Sequence, residues 1–206
     1  MTKTTLFLID DHAVMRMGLV SLLRTCKELE VVGDAGDGAS GIVRALKLRP
    51  QVIIMDLAMP RLNGVETTRR LLAEWPDAKV LILTTFGTSD GLTEALNAGA
   101  RGVILKSAEL KELRQAIATV ASGDRYVSEE IEQLMTDDPP VEPLSPRQTE
   151  ILRLLVRGLS NTEIAKALGI SLDMVREHTS VVFRKLGAAN RTEAVAIALR
   201  KQLLKM

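Results

Sequence analysis

Aromatic residues make up only 2% of these 206 residues, and there is a single cysteine, Cys26. With so few Phe, Trp and Tyr, the cores must be built from Leu, Ile, Val, Ala and Met. The same scarcity disfavours a base-stacking platform for single-stranded nucleic acid, which needs exposed aromatics. One cysteine excludes an internal disulfide framework and any multi-cysteine metal site. Cys26 lies on an apolar helical stripe and reads as a small buried hydrophobe. Long apolar runs are missing as well. The first run breaks at Asp10-Asp11, and no stretch approaches the roughly 18 residues that span a bilayer. No cationic leader precedes it, so a cytoplasmic protein with no membrane partner is expected.

The net charge is only +1, but its distribution is uneven. Residues 1–123 carry 15 Lys and Arg against 14 Asp and Glu, residues 124–140 carry 1 against 6, and residues 141–206 carry 11 against 6. A basic C-terminal third behind an acidic connector suggests that only this part approaches a polyanion.

Short apolar runs at Thr5–Ile9, Val31–Val32, Val52–Met55, Val80–Thr84 and Val103–Leu105 alternate with amphipathic segments. Five such strand–helix units with near-continuous apolar strands predict a five-stranded parallel sheet covered on both faces. The expected architecture is α/β, doubly wound, with strand order 2-1-3-4-5, over residues 1–123. Residues 124–143 then read as an acidic, proline-rich linker. Ser128–Met135 can add a short helix, but Pro139, Pro140 and Pro143 stop any continuation.

From Leu144 to Met206 the signals are helical. Ser145-Pro146-Arg147-Gln148 is a capping box with proline at the first helical position. Ser160-Asn161-Thr162-Glu163 and Asn190-Arg191-Thr192-Glu193 repeat it, and Ser171 caps a further helix. Four helices follow, at about 146–157, 161–168, 172–186 and 191–203, in a small all-α domain. The second and third are joined by only Gly169-Ile170-Ser171, the short turn of a helix-turn-helix.

The chemistry concentrates at strand ends, where open α/β sheets bind their ligands. Asp10 and Asp11 follow the first strand, Asp56 ends the third, Thr84 the fourth, and Lys106 follows the fifth. An acid after one strand is ordinarily a helix cap. Three converging on one crevice repel by several kcal/mol and call for a divalent cation, with Mg²⁺ suited to hard oxygen ligands. Lys106 and Thr84 supply a cation and a hydroxyl for an incoming phosphoryl oxygen.

The segments Ile9-Asp10-Asp11-His12, Met55-Asp56-Leu57-Ala58-Met59-Pro60, Leu83-Thr84-Thr85-Phe86 and Ala98–Lys106 resemble receiver domains of two-component response regulators over residues 1–123. The resemblance implies that Asp56 accepts a phosphoryl group from a sensor histidine kinase. It implies Mg²⁺ on Asp10, Asp11, Asp56 and the Ala58 carbonyl, with Lys106 pairing with the phosphoaspartate and Thr84 moving to meet it. One position departs from the pattern. Val103 stands where relatives often carry a Tyr or Phe that swings inward, which leaves Phe86 or plain loop packing to take over.

Leu144–Leu152, Gly158–Ala165 and Arg184-Lys185-Leu186-Gly187 resemble the DNA-binding domain of the NarL/FixJ (LuxR-type) regulators over residues 144–203. The resemblance implies that helix 172–186 enters the major groove of double-stranded promoter DNA. It also implies homodimers, on DNA or once phosphorylated, and RNA polymerase as a further partner. Periodicity sorts the helix independently: Val175, Thr179, Val182 and Leu186 form a buried stripe. Arg176, Glu177, Ser180, Val181 and Arg184 lie off it, with chemistry suited to phosphates, guanine, cytosine and a thymine methyl. Lys185 is expected on phosphate, and Asn161, Thr162 and Ser171 at helix starts where backbone N–H groups face phosphate. His178 reads as half-buried support. The last helix carries more apolar surface than its core needs, which fits dimerisation.

The expected protein is a phosphorylation-gated transcription regulator, not an enzyme. Two other readings of the residues stay open here. One is a regulator of the same family that works without phosphate. The other is a Mg²⁺-dependent aspartyl-phosphate hydrolase, against which Ala58 replaces the second acid such enzymes need.

Overall fold

The computed structural model describes residues 3–85, 88–201, 203 and 204. The chain forms two compact units, Met1–Asp138 and Pro139–Met206.

In the first unit strands and helices alternate. They are β1 (Thr4–Ile9), α1 (Ala13–Arg24), β2 (Leu29–Ala35), α2 (Gly38–Leu48), β3 (Val52–Asp56), α3 (Gly64–Glu74), β4 (Val80–Thr84), α4 (Ser89–Asn97), β5 (Gly102–Leu105), α5 (Leu110–Ser122), β6 (Tyr126–Val127) and α6 (Glu129–Asp137). The sheet is parallel, in the order β2-β1-β3-β4-β5-β6. The winding reverses at β1, so the ends of β1 and β3 flank the crevice, as the sequence predicts. The five-strand expectation is corrected to six strands.

The central strands are apolar on both faces, and alternate residues enter separate cores. Phe7, Ile9, Ile53, Met55, Ile82 and Val103 pack under α2, α3, α4 and α6. Leu6, Leu8, Ile54, Leu81, Leu83 and Ile104 pack under α1 and α5. Each fully buried Leu or Ile contributes about 1.5–3 kcal/mol. Cys26 is buried in the second of these cores.

The expected linker begins too early. β6 pairs with β5 through Gly102↔Tyr126 and Val103↔Val127, and Ile131 of α6 is fully buried in the sheet's core. Burial of Ile131, Leu134 and Met135 on one face outweighs the acidic composition that suggested a solvated connector. The compact unit therefore runs to Asp138.

One glycine shapes the site directly. Gly64 opens α3, and a Cβ there would collide with the Asp56 carbonyl and the Leu57 backbone. Backbone atoms cannot yield as a flexible side chain can. Gly64→Ala is expected to destabilise the first unit by about 2 kcal/mol, read as a lower urea midpoint; an unchanged midpoint would mean the loop after Asp56 is free to shift.

The second unit holds α7 (Pro146–Val156), α8 (Asn161–Leu168), α9 (Leu172–Leu186) and α10 (Arg191–Arg200). Full capping boxes form at Ser145 and Ser160. The third box is incomplete: Asn190 accepts from Glu193 N–H, but the Glu193 carboxylate bonds Ala189 N–H instead. Gly169, at φ +63, makes the left-handed turn between α8 and α9 that a side chain would strain. Ile151, Leu155, Ile164 and Val175 fill the space between α7, α8 and α9. Among the described residues no helix is long and apolar enough to cross a membrane.

Candidate functional site

The sheet register explains why distant residues meet. Ile9 pairs with Met55, Asp56 with Leu83, and Thr84 with Leu105, so all four strands end at one edge. Asp10, Asp11, Asp56 and Lys106 gather there. Carboxylate oxygens of the three acids lie within 4.8 Å of one another, where each charge pair repels by about 3 kcal/mol or more at an effective dielectric near 20. Asp10 and Asp56 are buried, at 4% and 6% exposure, and Asp11 is exposed. Lys106 Nζ bridges the buried pair, 2.7 Å from Asp10 Oδ2 and 3.0 Å from Asp56 Oδ2. One ammonium thus faces three carboxylates, and the crevice keeps an excess of negative charge.

Thr84 is buried at the end of β4, its carbonyl accepting from Lys106 N–H at 2.7 Å. The Ala58 N–H points to Asp56 Oδ1 at 3.5 Å, which places Ala58 beside the acid. Phe86 lies outside the described residues. Val103 is fully buried against the α4 and α6 side of the sheet. Ser128 N–H, at the start of α6, donates to the Val103 carbonyl at 3.3 Å.

Burial pushes the Asp56 carboxyl above the usual carboxylate range, with Lys106 opposing that push and Asp10 adding to it. Burial pulls the Lys106 ammonium down, but its bonds to Asp10 and Asp56 outweigh this and hold it above the ordinary lysine value. The stability consequences have opposite sense. Lys106 contributes stability below its ordinary value that is lost as pH climbs through its raised one. Asp56, raised in the folded state, costs stability as pH climbs through its own window, so at neutral pH its charge is a burden on the fold. Asp56→Asn is therefore expected to melt higher than wild type at pH 7. The gain should vanish at a pH below the ordinary aspartate range; equal melting temperatures at pH 7 would contradict the burial argument.

Arg16 was not predicted from sequence. Its guanidinium donates to the Asp10 carbonyl at 2.6 Å and to Asp34 Oδ2 at 2.8 Å. Nothing in a helical arginine announces a partner on another strand.

In the second unit the α9 stripe is as expected: Val175, Thr179, Val182 and Leu186 are buried. Arg176, Glu177, Ser180 and Arg184 are exposed, and Val181 and His178 half-buried. Arg176 pairs with Asp173 at 3.2 Å. Ser171 caps α9 through Met174 N–H, Asn161 begins α8 half-buried, and Thr162 is exposed beside it. Lys185, expected on phosphate, donates to the Pro143 carbonyl at 2.6 Å.

Comparison with known proteins agrees with both halves. Residues 6–118 match the response regulator receiver domain, and residues 142–198 match the bacterial regulatory proteins of the luxR family. The chain is 37% identical to the oxygen regulatory protein NreC of Staphylococcus epidermidis, over 95% of this chain and 96% of NreC. It is 34% identical to the transcriptional regulatory protein LiaR of Bacillus subtilis, over 96% of this chain and 97% of LiaR. Solved structures of RcsB are similar too. One holds two RcsB dimers bound to two parallel DNAs, with 26% identity, a TM-score of 0.71, and 97% and 99% of the two chains covered. Another, from Salmonella enterica serovar Typhimurium, is bound to a promoter in the presence of phosphomimetic BeF3−, with 26% identity, a TM-score of 0.73, and 95% and 98% covered.

Proposed function

The chain belongs to the response regulators that join a receiver domain to a LuxR-family DNA-binding domain, and from that premise we propose that Asp56 is its phosphoacceptor and α9 its reader of promoter DNA. The family is one of DNA-binding regulators rather than enzymes, which sets the hydrolase reading aside. The observation that carries the proposal is the buried Asp56–Lys106–Asp10 cluster at the crevice, with Asp11 at its mouth.

Three carboxylates within 4.8 Å fit a hard divalent cation. Asp10, Asp11 and Asp56 would hold Mg²⁺ together with the Ala58 carbonyl. When bound, the ion supplies charge neutralisation, so that a carboxylate can approach an anionic phosphoryl group. The chain's own groups do the rest. An Asp56 carboxylate oxygen bonds to phosphorus, the P–N bond to the histidine of a sensor kinase breaks, and the imidazole nitrogen keeps that electron pair. Lys106, already 3.0 Å from Asp56, stays paired with the product. Thr84 at the neighbouring strand end turns its hydroxyl toward the new phosphoryl oxygens.

Transmission to the connector runs through α6 in this reading, in place of an aromatic switch at Val103. α6 is hydrogen-bonded to Val103 at its start, packs Ile131 against the same core, and is capped by Asp138, whose carboxylate lies 3.4 Å from Ser89 Oγ at the start of α4. The first residue of α4, the helix that follows the strand of Thr84, thus meets the last residue before Pro139-Pro140. Arg176, Glu177, Ser180, Val181 and Arg184 face the major groove, with Lys185, Asn161, Thr162 and Ser171 on the phosphates. The regulator acts in the cytoplasm as a homodimer on DNA, with RNA polymerase as its downstream partner.

The test is chemical. With Mg²⁺ and a small phosphodonor, intact-mass spectrometry should find one phosphoryl group on wild type, removed by hydroxylamine as expected of an acyl phosphate. Asp56→Ala should carry none. A group that persists on Asp56→Ala, or resists hydroxylamine, would overturn the assignment.

A further inference from the structure

Arg16 stands behind the acidic crevice and holds one of its walls. It is the fourth residue of α1, and its side chain is only 17% exposed. Nη1 reaches the main-chain carbonyl of Asp10 at 2.6 Å, while Nε reaches Asp34 Oδ2 at 2.8 Å. Asp34 sits on β2 directly opposite Leu8 of β1. One planar fork therefore ties the end of β1 to its neighbour β2.

Every oxygen of Asp10 then has an assigned donor. Arg16 takes the carbonyl, His12 N–H takes Oδ1 at 2.7 Å, and Lys106 takes Oδ2 at 2.7 Å. A cation held by Asp10 and Asp56 would meet Lys106 at the same pair of carboxylates. Arg16 and the His12 N–H hold Asp10 at its carbonyl and at Oδ1, so these two fix the direction in which Asp10 presents its carboxylate.

We propose that Arg16, itself held by Asp34, is a positioning residue for the divalent cation: it orients Asp10 and so sets cation affinity without touching the ion or the phosphoryl group. The inference rests on the reading of Asp10, Asp11 and Asp56 as the cation site. Field and geometry make opposite demands here. The charge of Arg16 repels a cation, so a pure field effect means that its removal tightens binding. A positioning role means that its removal weakens binding. Asp34 neutralises most of that charge, which leaves orientation as the larger effect. Partners one step behind a metal ligand alter affinity by about 10- to 100-fold.

The experiment measures Mg²⁺ binding to the full-length protein by titration calorimetry, for wild type, Arg16→Met, Arg16→Lys and Asp34→Asn. Circular dichroism checks that each is folded. Arg16→Met should bind Mg²⁺ about 10- to 100-fold more weakly. Arg16→Lys should resemble it, because a single ammonium cannot hold both acceptors at the same angle. Asp34→Asn, at a half-exposed position, should weaken binding severalfold, and it tests the idea even if Arg16→Met fails to fold. With a small phosphodonor, the Mg²⁺ needed for half-maximal phosphorylation should rise in step. Unchanged or tighter Mg²⁺ binding in Arg16→Met and Asp34→Asn would overturn the proposal while leaving the cation site intact. A wild type that binds no Mg²⁺ would overturn both.

Discussion

Asp56→Ala is expected to abolish the gain in promoter affinity that a phosphodonor with Mg²⁺ produces in wild type. Coupling between two sites in one protein is typically about 1–3 kcal/mol, so that gain should be roughly 5- to 150-fold. The cause lies in charge balance at the crevice. Lys106 is the cation bridging Asp10 and Asp56, and a phosphoryl group adds nearly two negative charges beside it. The neighbouring strand ends must reorganise to answer that charge, and Thr84 is the closest hydroxyl-bearing one in the sheet register. Asp56→Ala removes the acceptor and leaves Lys106 with Asp10, so nothing drives the rearrangement. Gel-shift titrations with and without phosphodonor give the ratio directly, and size-exclusion on the same samples reports dimerisation. A variant whose affinity still rises with phosphodonor, or a wild type whose affinity never does, would favour a regulator that works without phosphate. If the route runs through α6, hydrogen exchange at Ile131–Asp138 should quicken in phosphorylated wild type and stay unchanged in Asp56→Ala.

The parts of this site that were legible in the sequence share one property: they depend on strand ends alone. Asp10, Asp56, Thr84 and Lys106 each close an apolar run, and in a parallel sheet all such ends face one edge. No pairing distance is needed for that conclusion. Arg16 was illegible for the opposite reason. Its contacts cross from α1 to β2, eighteen residues away, and depend on a register that shifts between Leu6 and Phe7. The same irregularity helps explain why the apolar signal of β2 is confined to Val31–Val32. It is an edge strand interrupted by Gly33 and Asp34, so its apolar signal is short although its ladder extends over Leu29–Ala35. The sixth strand is two residues long, and α6 carries Glu129, Glu130 and Glu132 in its first turn. Composition argued for a solvated linker, and three apolar residues on one face argued against it. The tertiary surface offered by β5 decided the matter. In the DNA-binding half, local signals did suffice, because caps and helical period need no distant partner.

That local legibility gives the second large effect. Replacing both Arg176 and Arg184 by alanine is expected to weaken specific DNA binding by about 100-fold or more, since a bidentate base contact is worth about 1–3 kcal/mol and each lost phosphate contact adds to it. Both side chains are exposed on α9, off the buried stripe of Val175, Thr179 and Val182. Neither is needed for the core, so the double variant should melt like wild type. Salt dependence separates the two roles. If an arginine binds phosphate, its loss lowers the slope of log affinity against log salt by nearly one and weakens all sequences alike. If it reads guanine, its loss also flattens preference at one base pair. Arg176 is paired with Asp173 in the first turn of α9, so it must leave that exposed pair to bind, at a cost that solvent keeps small. Arg184 lies more than two turns further along the same helix, a spacing of about 12 Å at 1.5 Å per residue. The two should therefore act on different base pairs, and their single-variant losses should add. Affinity unchanged in the double variant would remove α9 from the groove altogether.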